Sequence, residues 1–221
     1  KCNTYFNQMK KLSSFLYLTL LFVTFTIMLS SCSSEYVPKP TAYPRMVLPD
    51  KGYEASTAIE CPFTFEQPVY TSLDKDPYTQ LRDSNDNCWM NLVFEDMNAQ
   101  FHLSYKEVQN DQKRLSQLID DAHKLRAKHM KKADYVDERI IETNEGVYGL
   151  FSDIGGNAAS QMQFYITDST EHFMFGSLYF DSTPNYDSIQ PAIDFIKADV
   201  LHLLNTFEWK EPGVSPPTAQ R

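Results

Sequence analysis

The sequence predicts an α+β fold: an antiparallel sheet of about six to eight strands with two helices packed on it. Three observations predict it. Short segments that alternate apolar and polar residues recur between Cys61 and Asp181, the period-two pattern of half-buried strands. Two longer segments repeat apolar residues every three or four positions, the pattern of one helix face. The order is strands, helix, strands, helix, which segregates helices from an antiparallel sheet.

Ahead of this domain the chain carries an export signal. Leu12 to Leu29 is uncharged and largely apolar, though diluted by Ser13, Ser14, Thr19, Thr24 and Thr26, and Lys10 and Lys11 precede it. A basic stretch, an apolar run and then small residues make a signal peptide over 1–31, with the true start read at Met9. The run is borderline against the roughly 20 predominantly apolar residues of a spanning helix, and no charged stop-transfer patch follows. Leu29-Ser30-Ser31-Cys32 resembles the lipobox of bacterial lipoproteins. Small residues fit the peptidase site, and the Cys32 thiol accepts the diacylglyceryl group. The alternative is an uncleaved signal anchor with an incidental cysteine. Residues 32–53 then read as a lipid-anchored, proline-rich tether, kept extended by Pro38, Pro40, Pro44 and Pro49. Residues 54–210 form the single α+β domain, and 211–221 form a disordered tail by composition.

Within the domain, Tyr43, Arg45 and Val47 alternate as an early edge strand that would run in from the tether. "CPFTFEQPVY" is a short strand bounded by Pro62 and Pro68. "PYTQLRDSNDN" is a polar loop. "CWMNLVFEDMNAQFHLSYK" is a hairpin turning at "EDMN", with Met90, Leu92 and Phe94 on one face and Phe101, Leu103 and Tyr105 on another. The first helix spans Asn110 to Ala133, on the spacing of Leu115, Leu118, Ile119, Ala122 and Leu125. Its basic last turn suits a helix C-terminus before it suggests a docking patch. Four strands follow as a meander, turning at "NEG", at "GGN" and after "DSTE". The last helix is capped by Ser188, holds Pro191 in its first turn, and buries Ile189, Ile193, Ile196, Val200, Leu203 and Phe207. The layout is similar to the Mog1/PsbP-like fold, a likeness that carries no function.

Charge narrows the function. The first 31 residues hold three lysines and no acid, so the remaining 190 carry 17 basic and 29 acidic residues, a net charge of −12. That argues against nucleic acid, which needs a basic face, and against electrostatic docking on anionic lipid. Membrane attachment falls to the acyl chains, two or more of which anchor stably. Apart from Cys32, the exported chain keeps Cys61 and Cys88. A disulfide between them would close a loop worth about 3–4 kcal/mol in the chain-entropy model; the alternative is two separate buried thiols. An exported protein sits where disulfides persist.

No catalytic motif emerges. The histidines, His102, His123, His129, His172 and His202, make no HExxH, and no CxxC, GxSxG or phosphate loop is present. No metal and no cofactor is expected. "IGGNAAS" lies between two strands and reads as a tight turn. Asp153, Asp168 and Asp181 fall at strand ends, where aspartate is a turn former more often than half of a catalytic pair. "HFMFGSLYF" is apolar on both faces, so either a helix covers each face or one face meets a partner.

Several stretches identify a family resemblance that covers nearly the whole exported chain. "YVPKP", "CPFTFEQPVY", "CWMNLVF", "DDAHKLRAKHMKKAD", "VYGLFSDIGGNAAS", "QFYITDSTEHFMFGSLYF" and "NTFEWK" resemble the GldD family of gliding-motility lipoproteins from Bacteroidetes-type bacteria. The resemblance implies a non-catalytic cell-envelope component needed for gliding and tied to the type IX secretion machinery. It implies protein partners in that machinery. Cys32 is followed by Ser33, Ser34, Glu35 and Tyr36, with no adjacent Asp and no Lys before paired acids, so the anchor is read on the inner or outer membrane with the domain facing the periplasm. It assigns no catalytic residue. Two other readings stay open: a periplasmic lipoprotein that binds a lipid or peptide between sheet and helix, and an unrecognised hydrolase.

Overall fold

A computed structural model describes residues 16–22, 46–56, 61–75, 88–181 and 185–210. The chain divides into two compact units, 1–42 and 43–221. In the first unit, residues 16–22 are helical, with Leu16, Tyr17 and Leu18 exposed. Among the described residues no helix is long and apolar enough to cross a membrane. Cys32, the cleavage motif, the polar loop at 77–87 and the 211–221 tail lie outside the described residues.

Among the described residues, the strands and the two long helices all fall in the second unit. Its main sheet has seven strands: β4 (Ser72–Lys75), β5 (Trp89–Phe94), β6 (Ala99–Glu107), β7 (Tyr135–Glu142), β8 (Tyr148–Gly155), β9 (Met162–Thr167) and β10 (His172–Phe180). The spatial order is β4-β5-β6-β10-β9-β8-β7, and all neighbours run antiparallel. The strands from β7 to β10 are the meander read from the turn signals. Gly146, between β7 and β8, has φ +71°, a conformation that glycine adopts without a Cβ penalty. Two small ribbons flank the sheet: β1 (Tyr53–Ala55) pairs with β3 (Glu66–Pro68), and β2 (Phe63–Thr64) pairs with β11 (Glu208–Trp209).

The helices take opposite faces of the sheet. α2 (Tyr186–Asn205) buries Ala192, Ile193, Ile196, Val200, Leu203 and Leu204 against the large core, which includes Leu92, Phe101, Phe164 and Met174. α1 (Gln112–Met130) buries only Leu115 and Ala122, beside Val108 and Phe173. This accounts for "HFMFGSLYF": Met174 and Leu178 belong to the core under α2, while Phe173 and Phe175 face α1. Gly176 lies between these positions. A Cβ there would come within 2.5 Å of both Phe101 and Phe164, whose rings stack at 5.4 Å. The glycine is therefore demanded by packing rather than by a turn.

Several expectations change. Residues 46–50 form no strand, and Tyr43 and Arg45 lie outside the described residues. Residues 46–53, read as tether, belong to the folded unit: Met46 and Leu48 pack on the core and Tyr53 opens β1. "CPFTFEQPVY" is two strands, because Phe65 breaks the run by exchanging hydrogen bonds with Ser56 while its flanks take different partners. The two faces read in the hairpin are one face, since Met90 pairs with Leu103 and Leu92 with Phe101. α1 is shorter than read and starts at its N-cap Asp111, whose carboxylate accepts from the amides of Lys113 and Arg114. The residue capping α2 is Asn185, not Ser188, and its own side chain makes no cap bond; the first helical amide, that of Tyr186, donates instead to Asn157 Oδ1 at 3.0 Å. Ser188 instead donates to the Asn185 carbonyl at 2.9 Å. Pro191 is then the sixth helical residue and exposed, one turn deeper than read.

Candidate functional site

The least expected cluster sits where the ribbon β1–β3 meets α2. Asp199 lies on the buried face of α2, its side chain fully shielded from water. Its Oδ1 accepts from Lys51 Nζ at 2.5 Å and from Tyr53 OH at 3.0 Å, and its Oδ2 accepts from Tyr70 OH at 2.6 Å. Lys51 Nζ also donates to the Phe195 carbonyl at 2.9 Å and stands 3.4 Å from the Phe195 ring centroid. Burial, and then the hydrogen bond to Asp199, pushes the Tyr53 phenol up to about 12. The same causes push Tyr70 up further. Tyr53 in turn stacks on His202 at 3.7 Å, and His202 Nε2 meets Glu66 Oε2 at 2.6 Å. Both oxygens of the acid are committed to donors, as a buried charge requires. The cluster is a clasp holding Lys51 and Tyr53 to the last helix; it offers no idle base or nucleophile.

A second clasp joins α2 to β8, where Lys197 pairs with Asp153. The three strand-end aspartates thus serve separate ends. Asp168 accepts the backbone amides of Thr170, Glu171 and His172. Burial opposes its charge, but these donors outweigh it and hold its carboxyl below the usual range. Asp181 is exposed.

Cys61 and Cys88 are joined by a disulfide with their Cα atoms 5.7 Å apart. It ties the segment before β2 to the start of β5. Beside β2, Phe63, Phe65, Phe207 and Trp209 pack as an aromatic cluster that reaches Tyr105 and His172. Tyr105 OH lies 2.7 Å from His172 Nδ1.

Each of the five histidines rests on an aromatic ring: His102 and His129 on Tyr179, His123 on Tyr165, His172 on Trp209 and His202 on Tyr53. Burial first, then Lys128, keeps the His129 imidazole below its ordinary value. Among the described residues no group of three His, Cys, Asp or Glu stands close enough to hold a metal.

The described residues also line a concavity of ligand size. A groove of about 370 Å³ runs between α1 and the sheet, with Trp89, Phe173 and Phe175 on the sheet side and Leu118 and Leu125 on the helix side. Ser104, Lys106 and Asp121 supply its polar groups.

A family model described as gliding motility lipoprotein GldD matches residues 33–209. The chain belongs to the GldD family. The matched span begins one residue after Cys32 and ends at Trp209 in β11. No curated protein matches. Among solved structures, the chain is similar to the solution structure of cyanobacterial PsbP (CyanoP) from Synechocystis sp. PCC 6803. The identity is 11%, the TM-score is 0.35, and the match covers 77% of this chain and 99% of that one. No function is carried over from that likeness. Neither Asp199 nor the groove stood among the residues singled out in the sequence.

Proposed function

We propose that this GldD-family chain is a lipid-anchored, non-catalytic component of the cell envelope that serves gliding motility and the protein secretion associated with it. The observation that carries the reading is the family match over 33–209, which starts directly after a lipobox cysteine. In this reading Cys32 is acylated with long-chain fatty acid such as palmitate, and the domain faces the periplasm. The site chemistry supports a binding and scaffolding role. The buried acids and the histidines described above are tied to partners inside the fold, where they brace ribbons and helices. The anchor is tested by growing cells with labelled palmitate. The wild-type chain incorporates label and fractionates with membranes, whereas Cys32→Ala takes up none and stays folded. A labelled Cys32→Ala chain would remove the anchor from the account.

A further inference from the structure

We propose that β7 is a self-pairing edge: two copies of the chain join antiparallel through it, in the register that sets Glu138 opposite itself. The inference goes beyond the envelope role and does not depend on it. β7 ends the order of the main sheet, so one side of it pairs with β8 and its other side meets no strand among the described residues. It is eight residues long and buries none of them. A long open edge is a template for a further strand. Ile140, in its middle, is 83% exposed.

Contacts within the fold fix where the side chains of β7 point. Tyr135 OH lies 2.9 Å from Tyr186 OH of α2, and Ile141 packs on the core under that helix. Asp137 and Arg139 therefore share the α2 face. Glu138 pairs with Arg126 of α1, so Val136 and Ile140 share the α1 face.

Charge then selects the partner and the register. A two-fold pair within one sheet sets residues of the same face opposite each other, with one residue on the axis. With Glu138 on the axis, Asp137 meets Arg139 of the second copy, and the contact occurs twice. Val136 meets Ile140 twice, and Tyr135 meets Ile141 twice. Opposite charges and apolar partners directly across a ladder are the pairs that stabilise it. Asp137 and Arg139 are 56% and 53% exposed and stand 3.5 Å apart within the strand, so the two copies together make an alternating square of charges. Glu138 meets itself, but each copy holds its own Arg126, which offsets the repulsion. Glu142 would meet Asp134 only past Tyr135, where β7 ends. A shift of one residue either way loses this match. Arg139 on the axis sets arginine against arginine and Glu138 against Ile140. Asp137 on the axis sets aspartate against aspartate and Glu138 against Val136. The strand is thus complementary to a second copy of itself in one register.

Disulfide trapping in the full chain, expressed in its own host and oxidised in isolated membranes, reads that register. The wild-type chain sets the background. Glu138→Cys stands opposite its copy with Cβ atoms roughly 4.5–5.5 Å apart, close to disulfide reach, whereas Arg139→Cys stands diagonal to its copy at about 7–8 Å. The account expects Glu138→Cys to form a linked dimer about tenfold or more faster than Arg139→Cys. Asp137→Arg, added to Glu138→Cys, sets an arginine against Arg139 twice and should slow linkage about tenfold or more. Adding Arg139→Asp to that variant restores the match and should restore the rate. Co-expressed Val136→Cys and Ile140→Cys chains should link to each other and not to themselves, which covers the case in which Glu138→Cys fails to fold without its pair to Arg126. Equal linkage of Glu138→Cys and Arg139→Cys overturns the proposal, and so does a charge exchange that fails to rescue. Linkage of Glu138→Cys to a different protein in place of its copy assigns the edge to that protein and equally refutes self-pairing.

Discussion

Asp199 occupies a face of α2 that the surrounding Ile196, Val200 and Leu203 make apolar. An acid at that phase of a helix is a legible anomaly, because its helical spacing places it among buried positions. Its partners were not legible. Lys51 and Tyr53 lie more than 140 residues upstream, in a stretch whose prolines resemble a spacer. Sequence spacing cannot report a contact of that range. Replacing Asp199 by Ala deprives Lys51, Tyr53 and Tyr70 of their common acceptor. Removing one partner of a buried pair costs about 3–5 kcal/mol. Here the lower end applies, since the Lys51 side chain is 33% exposed and can regain water. A urea titration should show an earlier midpoint at unchanged slope. A change under about half a kcal/mol, the ordinary effect of a neutral surface substitution, would mean that the clasp does not brace the fold.

At the scale of elements, the long and strongly periodic segments were the readable ones. α2 follows its apolar stripe closely, because burial of one face sets its phase, whereas the β7–β10 meander follows its turn signals: β7 buries no residue, and β8, β9 and β10 bury residues on both faces. The ribbons were harder. β2 and β11 are two residues each, and their pairing joins Phe63 to Trp209 across most of the chain. A strand of that length carries no usable period. Helix caps also eluded the reading: a serine three residues inside α2 resembles a cap in sequence, whereas the chain enters the helix at Asn185. The disulfide is the element-scale claim open to direct measurement. It should leave no free thiol on Cys61 or Cys88 in the exported protein under non-reducing denaturation. Reduction should cost about 2–4 kcal/mol of stability, because the freed 27-residue separation restores entropy to the unfolded chain. Two titratable thiols in the exported protein would contradict the pairing.

At the scale of the whole molecule, the second unit is one antiparallel sheet with a helix on each face. The uneven cover supplied by the two helices is the main structural asymmetry. α2 seals its face with seven buried residues, and α1 buries two and leaves a groove at its flank. That groove was invisible in the sequence, because the same Phe173, Phe175, Leu118 and Leu125 would make a closed core had α1 lain a little nearer β5. The family is legible from the chain because whole stretches match, and with it comes a lipoprotein of gliding motility. The proposed envelope role is tested most directly by deleting the gene cleanly and complementing it with the wild-type or the Cys32→Ala chain. Colony spreading and the secreted-protein profile are then scored together. The account predicts that the deletion loses spreading and alters secretion, that wild type restores both, and that Cys32→Ala does not. Normal spreading and an unchanged secreted profile in the deletion strain would contradict it.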